Sequence, residues 1–280
     1  MDSFSDDSAE LARRDALVLR NLRVQKVQSP DELNHLHAAR LARFARNEIE
    51  RELWRHLVGC DGASCPNNAC NAACVFGERR EVNRLVRQGG RLLKKGSKPW
   101  FITVTDPNYF KEPGRLGELS VNGLFQGLRR RLREAPENWA TARIVGGLDI
   151  AYNRELDGSE FWAPHLHLVA SVDATAAEIR RVFKPRRSPP AGLVGDTFRP
   201  VNVKPTDNLA NALAYALKPT IAGREAVLDG RGNIDRRRFQ VSEAAKLEHD
   251  LWLLSMRPRH RSFLSGAMVS RGGVVARNRG

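Results

Sequence analysis

The sequence predicts an α+β fold, a central antiparallel sheet with helices on one face, preceded by a helical N-terminal region and a small zinc-binding segment. Three observations predict it. From Ala9 to about Val27 and from Ser29 to about Leu57, apolar residues recur at helical spacing among charged ones. The stretches Lys98 to Thr105, Thr141 to Tyr152 and Glu160 to Val172 are instead β-branched and aromatic. All four cysteines lie between Cys60 and Cys74, in a Gly- and Asn-rich segment with little to bury.

Taken in order, Ser29-Pro30-Asp31 makes a helix start: a hydroxyl to accept from the first backbone N–H groups, and a proline whose missing N–H is harmless there. Residues 1–58 therefore read as a helical region, 59–76 as the cysteine segment, 77–222 as the main domain and 223–280 as a basic region packing on it. A charged helix runs from about Glu78 to Lys95, and the first strand stops at Asp106-Pro107. A helix from about Leu119 to Arg133 follows. The next two strands join through Asn153 to Gly158, a hairpin turn composition. Asp173 caps a helix to about Phe183, and Lys184 to Pro200 is a Pro- and Gly-containing basic loop. Val201 to Val203 is a short strand, and Thr206 or Asp207 caps a helix ending at Lys218-Pro219. Gly223 to Arg238 is loop or hairpin, Ser242 to about Leu254 a helix, and the tail has room for one more strand.

With 46 Lys and Arg against 32 Asp and Glu, the net charge of +14 favours a polyanionic partner. The charge is bunched: Arg129, Arg130 and Arg131 with Arg133, Arg180 with Arg181, Lys184 with Arg186 and Arg187, Arg236 to Arg238, and Arg257, Arg259 and Arg261. The first three groups are the candidates for contacts to a nucleic-acid backbone, apart from Arg133. No stretch approaches the roughly 20 apolar residues that span a membrane, and Asp2, Asp6, Asp7 and Glu10 make the N-terminus unlike a signal peptide. Cysteines so bunched are not placed to staple a chain of this length, and a reducing cytoplasm suits them.

The chemistry-bearing residues start with His165-Leu166-His167. On a strand the two imidazoles point to one face, about 7 Å apart. Asp149 lies inside an apolar strand, where a carboxylate requires a cation or a strong donor. An antiparallel pairing of the two strands places it opposite the histidines. Glu155, Asp157 and Glu160 are weaker candidates for a third ligand. On the helix 207–218, Leu209, Leu213, Ala216 and Leu217 fall on the buried side, and Asn208, Asn211, Tyr215 and Lys218 on the other. Tyr215 is thus presented, and a lysine one turn away favours its phenolate, the nucleophilic form. Cys60, Cys65, Cys70 and Cys74 supply thiolates for one tetrahedral, structural Zn²⁺, with His56 able to replace one of them. Trp100, Phe161 and Trp162 either stack bases or fill the core, and the core is the plainer assignment.

Residues 97–220 resemble the His-hydrophobic-His (HUH) endonucleases, among them plasmid rolling-circle replication initiators and related single-strand transposases. Phe101-Ile-Thr-Val-Thr105 is similar to the first family motif, Pro164-His-Leu-His167 to the second and Tyr215-Ala-Leu-Lys218 to the third. The resemblance implies an HUH-type antiparallel sheet and an Mn²⁺ or Mg²⁺ ion on His165, His167 and an acidic residue. It further implies Tyr215 as nucleophile, assisted by Lys218, nicking and joining single-stranded or locally melted origin DNA in a bacterial cytoplasm. The host helicase and polymerase are the implied partners. A Glu commonly stands where Asp149 falls, and Pro219 replaces a second aromatic residue common in relatives. No second tyrosine adjoins the first, so a one-tyrosine mechanism is implied. The rivals are a non-catalytic zinc-containing DNA-binding regulator, which leaves His165, His167 and Tyr215 without a shared purpose, and an iron oxygenase, which explains neither the charge nor Tyr215. Within the family, a transposase or relaxase is the alternative to a replication initiator.

Overall fold

The structure, a computed structural model, describes residues 6–25, 27–47, 71–93, 98–186, 199–216, 221–270 and 273–276. Helix α1 covers Asp6–Asn21 and α2 Pro30–Arg46. Ser29 caps α2 as the sequence predicts. Its hydroxyl accepts from Glu32 N at 3.1 Å while the Glu32 carboxylate accepts from Ser29 N at 2.6 Å, a reciprocal capping box. Helix α3, Val75–Arg84, starts before the expected Glu78 because Cys74 caps it, its Sγ accepting from Gly77 N at 3.3 Å. It continues through a π-helical turn, Leu85–Gly89, to Leu93.

The main sheet has seven strands. Strands β1 (Pro99–Thr105), β2 (Arg143–Arg154), β3 (Glu160–Ser171), β4 (Val201–Pro205), β5 (Ala222–Leu228) and β6 (Ile234–Arg238) lie in the order β4-β1-β3-β2-β5-β6, and β7 (Ser262–Ser265) also pairs with β2. A separate pair joins β8 (Ala267–Ser270) to β9 (Gly273–Ala276), so the tail holds three strands rather than one. The helices between and after the strands are α4 (Val121–Arg133), α5 (Ala176–Phe183), α6 (Leu209–Tyr215) and α7 (Glu243–Leu254). Thr175 caps α5 and Asn208 caps α6, one or two residues beyond the expected caps.

The fold is α+β, with two departures from expectation. The sheet is mixed, because β5 runs parallel to β2 while the other pairings are antiparallel. The chain reaches β5 from a helix rather than a hairpin, so it can return to the edge of β2 in the same direction. Helices also cover both faces rather than one. Ile144, Leu148 and Ile150 of β2 join Leu166 and Leu168 of β3 in a core closed by Leu124 and Leu128 of α4, Ile179 and Phe183 of α5 and Trp252 of α7. The alternate residues Val145 and Val169 join a second cluster with Leu19 of α1, Leu85 and Val86 of the π turn and Leu213 of α6. Most of β2 is apolar in both phases of the pleat, the pattern of a strand covered on both sides.

Helix α2 is tied to α7 by buried charge. Arg40 Nε and Arg43 Nε reach the two carboxylate oxygens of Asp250 at 3.0 and 2.9 Å, and Arg40 Nη1 donates to Ala73 O at 2.6 Å. Burial alone would raise the Asp250 carboxyl, but the adjacent His249 ring, its Nδ1 3.9 Å from Oδ1, and the Arg40 charge hold it below the usual range. A carboxyl depressed in the folded state contributes stability above its unfolded pKa of about 3.9 and loses it as the pH falls toward the folded value. Asp250→Ala should therefore lower the unfolding free energy by about 3–5 kcal/mol at neutral pH. Urea melts at pH 7 and through the acid range will show both that loss and a shallower acid limb in the variant.

Candidate metal and tyrosine site

The pleat and register of three strands build the site. Asp149 of β2 stands opposite His165 of β3, Gly147 opposite His167, and Thr103 of β1 opposite His167 from the other side. Residues two apart share a face, so Asp149, His165, His167 and Thr103 converge as the sequence predicts for the first three. His165 Nε2 and His167 Nε2 lie 3.3 and 3.5 Å from Asp149 Oδ2. Asp149 and His167 are buried and His165 is partly exposed, which leaves one side open.

Both rings are oriented from behind. His165 Nδ1 lies 3.1 Å from Ala163 O. A carbonyl only accepts, so that nitrogen carries the proton and Nε2 keeps its lone pair for a ligand. His167 Nδ1 meets Thr103 Oγ1 at 3.1 Å, and Asp149 Oδ1 accepts from Ile150 N at 3.0 Å. Two imidazoles and a carboxylate, with ligand atoms all within 4.8 Å of one another, could hold a metal ion. The other acidic candidates are engaged elsewhere. Glu155 takes Arg236 Nη2 on both oxygens at 2.7 and 2.9 Å, Asp157 accepts from Ser159 in the hairpin turn, and Glu160 accepts from Tyr152 and Arg154.

Behind Asp149 lies a pair of charges that sequence reasoning missed. Arg261 is buried, donates from Nη2 to Leu148 O at 3.1 Å, and forms an ion pair with the equally buried Glu78 of α3. Nothing in the local sequence around either residue marks them as partners.

Tyr215 ends α6. Leu213 and Ala216 are buried and Tyr215 is 42% exposed, as the helical phase predicts. Its ring centroid lies 4.8 Å from that of His167 and 5.9 Å from that of Phe101. Asn208 and Asn211, expected on the outer face, hold the chain between α1 and α2. Asn208 Nδ2 donates to Arg23 O, and Asn211 Oδ1 accepts from Gln25 N, each at 3.2 Å. Lys218, Leu217, Arg187, His56, Cys60, Cys65 and Cys70 lie outside the described residues. Cys74 is buried in the main core at the start of α3.

The expected backbone-contacting arginines are not beside this site. Arg129, Arg130 and Arg131 belong to α4 and Arg180 and Arg181 to α5, helices that cover the opposite face. Arg131 donates to Phe183 O at 2.8 Å and pairs with Asp106 at 3.5 Å, so it ties α4 to its surroundings. Arg129 lies over the Phe263 ring, Arg186 pairs with Glu134, and Lys184 is exposed at the end of α5. Of the aromatic residues, Trp162 and Phe161 are buried, and Trp162 Nε1 donates to Glu248 at 2.8 Å; they are core. Trp100 is partly buried against the same core.

No family model, curated protein or solved structure matches the chain.

If the triad binds a divalent ion, Asp149→Ala should abolish Mn²⁺ binding measured by calorimetry. Thr103→Val, which leaves all three ligands but removes the partner of His167 Nδ1, should weaken it about 10–100-fold. Unchanged affinity in Asp149→Ala would remove the triad as the metal centre.

Proposed function

We propose that this chain nicks and rejoins single-stranded DNA at a specific site by tyrosine transesterification, and that it initiates rolling-circle replication of a plasmid or phage. The observation that carries the reading is the place of Tyr215: a half-exposed phenol whose ring is 4.8 Å from that of His167, on the sheet face where Asp149, His165 and His167 converge. A tyrosine on an unrelated helix and a two-histidine, one-carboxylate set have little reason to meet unless they act on one group. The resemblance of the three ordered motifs to HUH endonucleases and the net charge of +14 support the same reading.

Asp149, His165 and His167 would hold Mn²⁺ or Mg²⁺, which supplies charge neutralisation at the non-bridging oxygens of the scissile phosphate. Tyr215 Oη attacks phosphorus in line, the phosphorus–O3′ bond breaks, and the leaving oxygen takes a proton to become a free 3′-OH. The new bond is a 5′-phosphotyrosine. One phosphoester replaces another, so rejoining is the same step reversed and needs no ATP. Lys218 is assigned to positioning the phenol or the phosphate, and Cys60, Cys65, Cys70 and Cys74 to a structural Zn²⁺. In a bacterial cytoplasm the host polymerase would extend the 3′-OH while the host helicase unwinds the duplex. Among the described residues no helix is long and apolar enough to cross a membrane.

Single-stranded oligonucleotides tiling the replicon that carries the gene, end-labelled and incubated with the protein and Mn²⁺, should give a covalent adduct on a denaturing gel. Tyr215→Phe should give none, and the double variant His165→Ala/His167→Ala should slow the adduct by at least about 100-fold, the scale of losing a transition-state charge stabiliser. An adduct of undiminished yield in Tyr215→Phe would sink the assignment.

A further inference from the structure

The sheet face that carries the triad continues outward onto β5 and β6. Arg224 of β5 lies beside Asn153 of β2, and Asn153 is four residues along from Asp149, so Arg224 shares the face of the triad. Across the antiparallel ladder Arg224 is paired directly with Arg238 of β6. Two arginines are therefore cross-strand neighbours on one face. Like charges directly opposite on a ladder are unfavourable. Nearby, Arg236 of β6 pairs with Glu155 at 2.7 Å and, on the reverse face, Arg154 of β2 pairs with Glu225 at 3.8 Å. Among the described residues no carboxylate lies within ion-pairing distance of Arg224 or Arg238. Both residues line a cavity of about 620 Å³ whose wall also includes Tyr215, Asn211 and Arg79. That volume lies in the roughly 300–1,000 Å³ range of small-ligand sites.

We propose that Arg224 and Arg238 form a phosphate clamp for the DNA strand that Tyr215 attacks, with one nucleotide of that strand seated in the cavity between the hairpin and α6. This rests on the nicking reading for the identity of the strand. The clamp itself rests on the arginine pair and the cavity. Guanidinium forks match phosphate oxygens in geometry and charge, and a bound phosphate removes the repulsion that the empty ladder carries. The strand then passes the hairpin on the same face as the triad, away from the arginines of α4 and α5.

The probe is a fluorescein-labelled 20-mer of oligo(dT), with binding followed by anisotropy between 50 and 200 mM salt without divalent ion (roughly the range over which phosphate contacts are read). Arg224→Gln/Arg238→Gln should weaken binding at least about tenfold and lower the salt slope by about 1.4, two contacts at about 0.7 each. Arg224→Lys/Arg238→Lys should restore most of the slope, and Arg180→Gln/Arg181→Gln should leave it unchanged. Hydrogen exchange on the wild-type protein should show protection of the β5–β6 hairpin by the oligonucleotide, a readout that needs no variant to fold. An unchanged slope in the glutamine variant, an equal loss from the α5 variant, or protection confined to α4 and α5 each overturns the clamp. The two readings separate cleanly. Wild-type binding through the hairpin with no Tyr215 adduct leaves the clamp and removes the nicking reading. An adduct that forms as fast in the glutamine variant at sub-saturating DNA leaves nicking and removes the clamp.

Discussion

The position of Asp149 depends on how β2 is held at the point where its outer neighbour changes. Along that edge β2 pairs with β7 from Ile144 to Gly147 and with β5 from Ala151 to Arg154. Between the two ladders, among the described residues, no strand lies beside it on that side, and a buried carbonyl there requires a donor. Arg261 supplies it, reaching Leu148 O from the residue immediately before β7. Burying a guanidinium without a counter-charge would cost several kcal/mol, and Glu78 of α3 provides the counter-charge. The residue next along β2 is Asp149. Three separate parts of the chain thus fix one backbone segment, and the carboxylate that faces His165 and His167 inherits its position from them.

That constraint also separates the two faces of the sheet. The main core uses the phase of β2 and β3 that includes Leu148, Ile150, Leu166 and Leu168, and it holds α4, α5 and α7. On the other phase, Val145 and Val169 at one end meet α1, the π turn and α6, and Ala151, Phe161 and Ala163 are buried toward the other end. Further along the same phase come Gly147, Asp149, His165 and His167. The end with Val145 and Val169 anchors the helix that carries Tyr215, and the polar stretch between the two apolar ends is left for chemistry. The glycines of β2 contribute at the boundary: a Cβ on Gly146 would stand 2.1 Å from His167 O, so the close approach of β2 to the histidine strand needs a residue without one.

Much of this site was legible in the sequence because it rests on short periods. A His-x-His pattern on a strand sets two imidazoles on one face whatever the rest of the chain does, and the phase of 207–218 turns Tyr215 away from Leu213. The hairpin between β2 and β3 then fixes the register that brings Asp149 opposite His165. The residues that support the site were not legible, since their partners are remote: Arg261 and Glu78 are 183 positions apart, and Thr103 is 64 from His167. The basic clusters stand apart from the triad for a related reason. Density of arginine along the chain says that a polyanion is favoured, but α4 and α5 carry theirs on the face opposite to the triad, while Arg224 is isolated in sequence and meets Arg238 only across a ladder. Helices lie on both faces because Leu19 and Val24 of the N-terminal region close the second cluster, a long-range contact that no local period marks.

The N-terminal region has a further part in aiming Tyr215. Helix α6 has only seven residues, too few to persist without tertiary contacts. One side is held by Ala212 and Leu213 in the second cluster, which fixes its distance from the sheet but leaves rotation and slide open. Those are set by its first turn, where Asn208 donates to Arg23 O and Asn211 accepts from Gln25 N. Arg23 has φ of 62°, a left-handed conformation that costs a non-glycine residue roughly 1–2 kcal/mol. Such a conformation persists where surrounding contacts determine it, and here the strained turn lies between two backbone groups that grip the helix. The connection after α1 therefore belongs to the same mechanical unit as the tyrosine: moving it would rotate α6 and displace the phenol from the His167 ring without touching any residue of the triad.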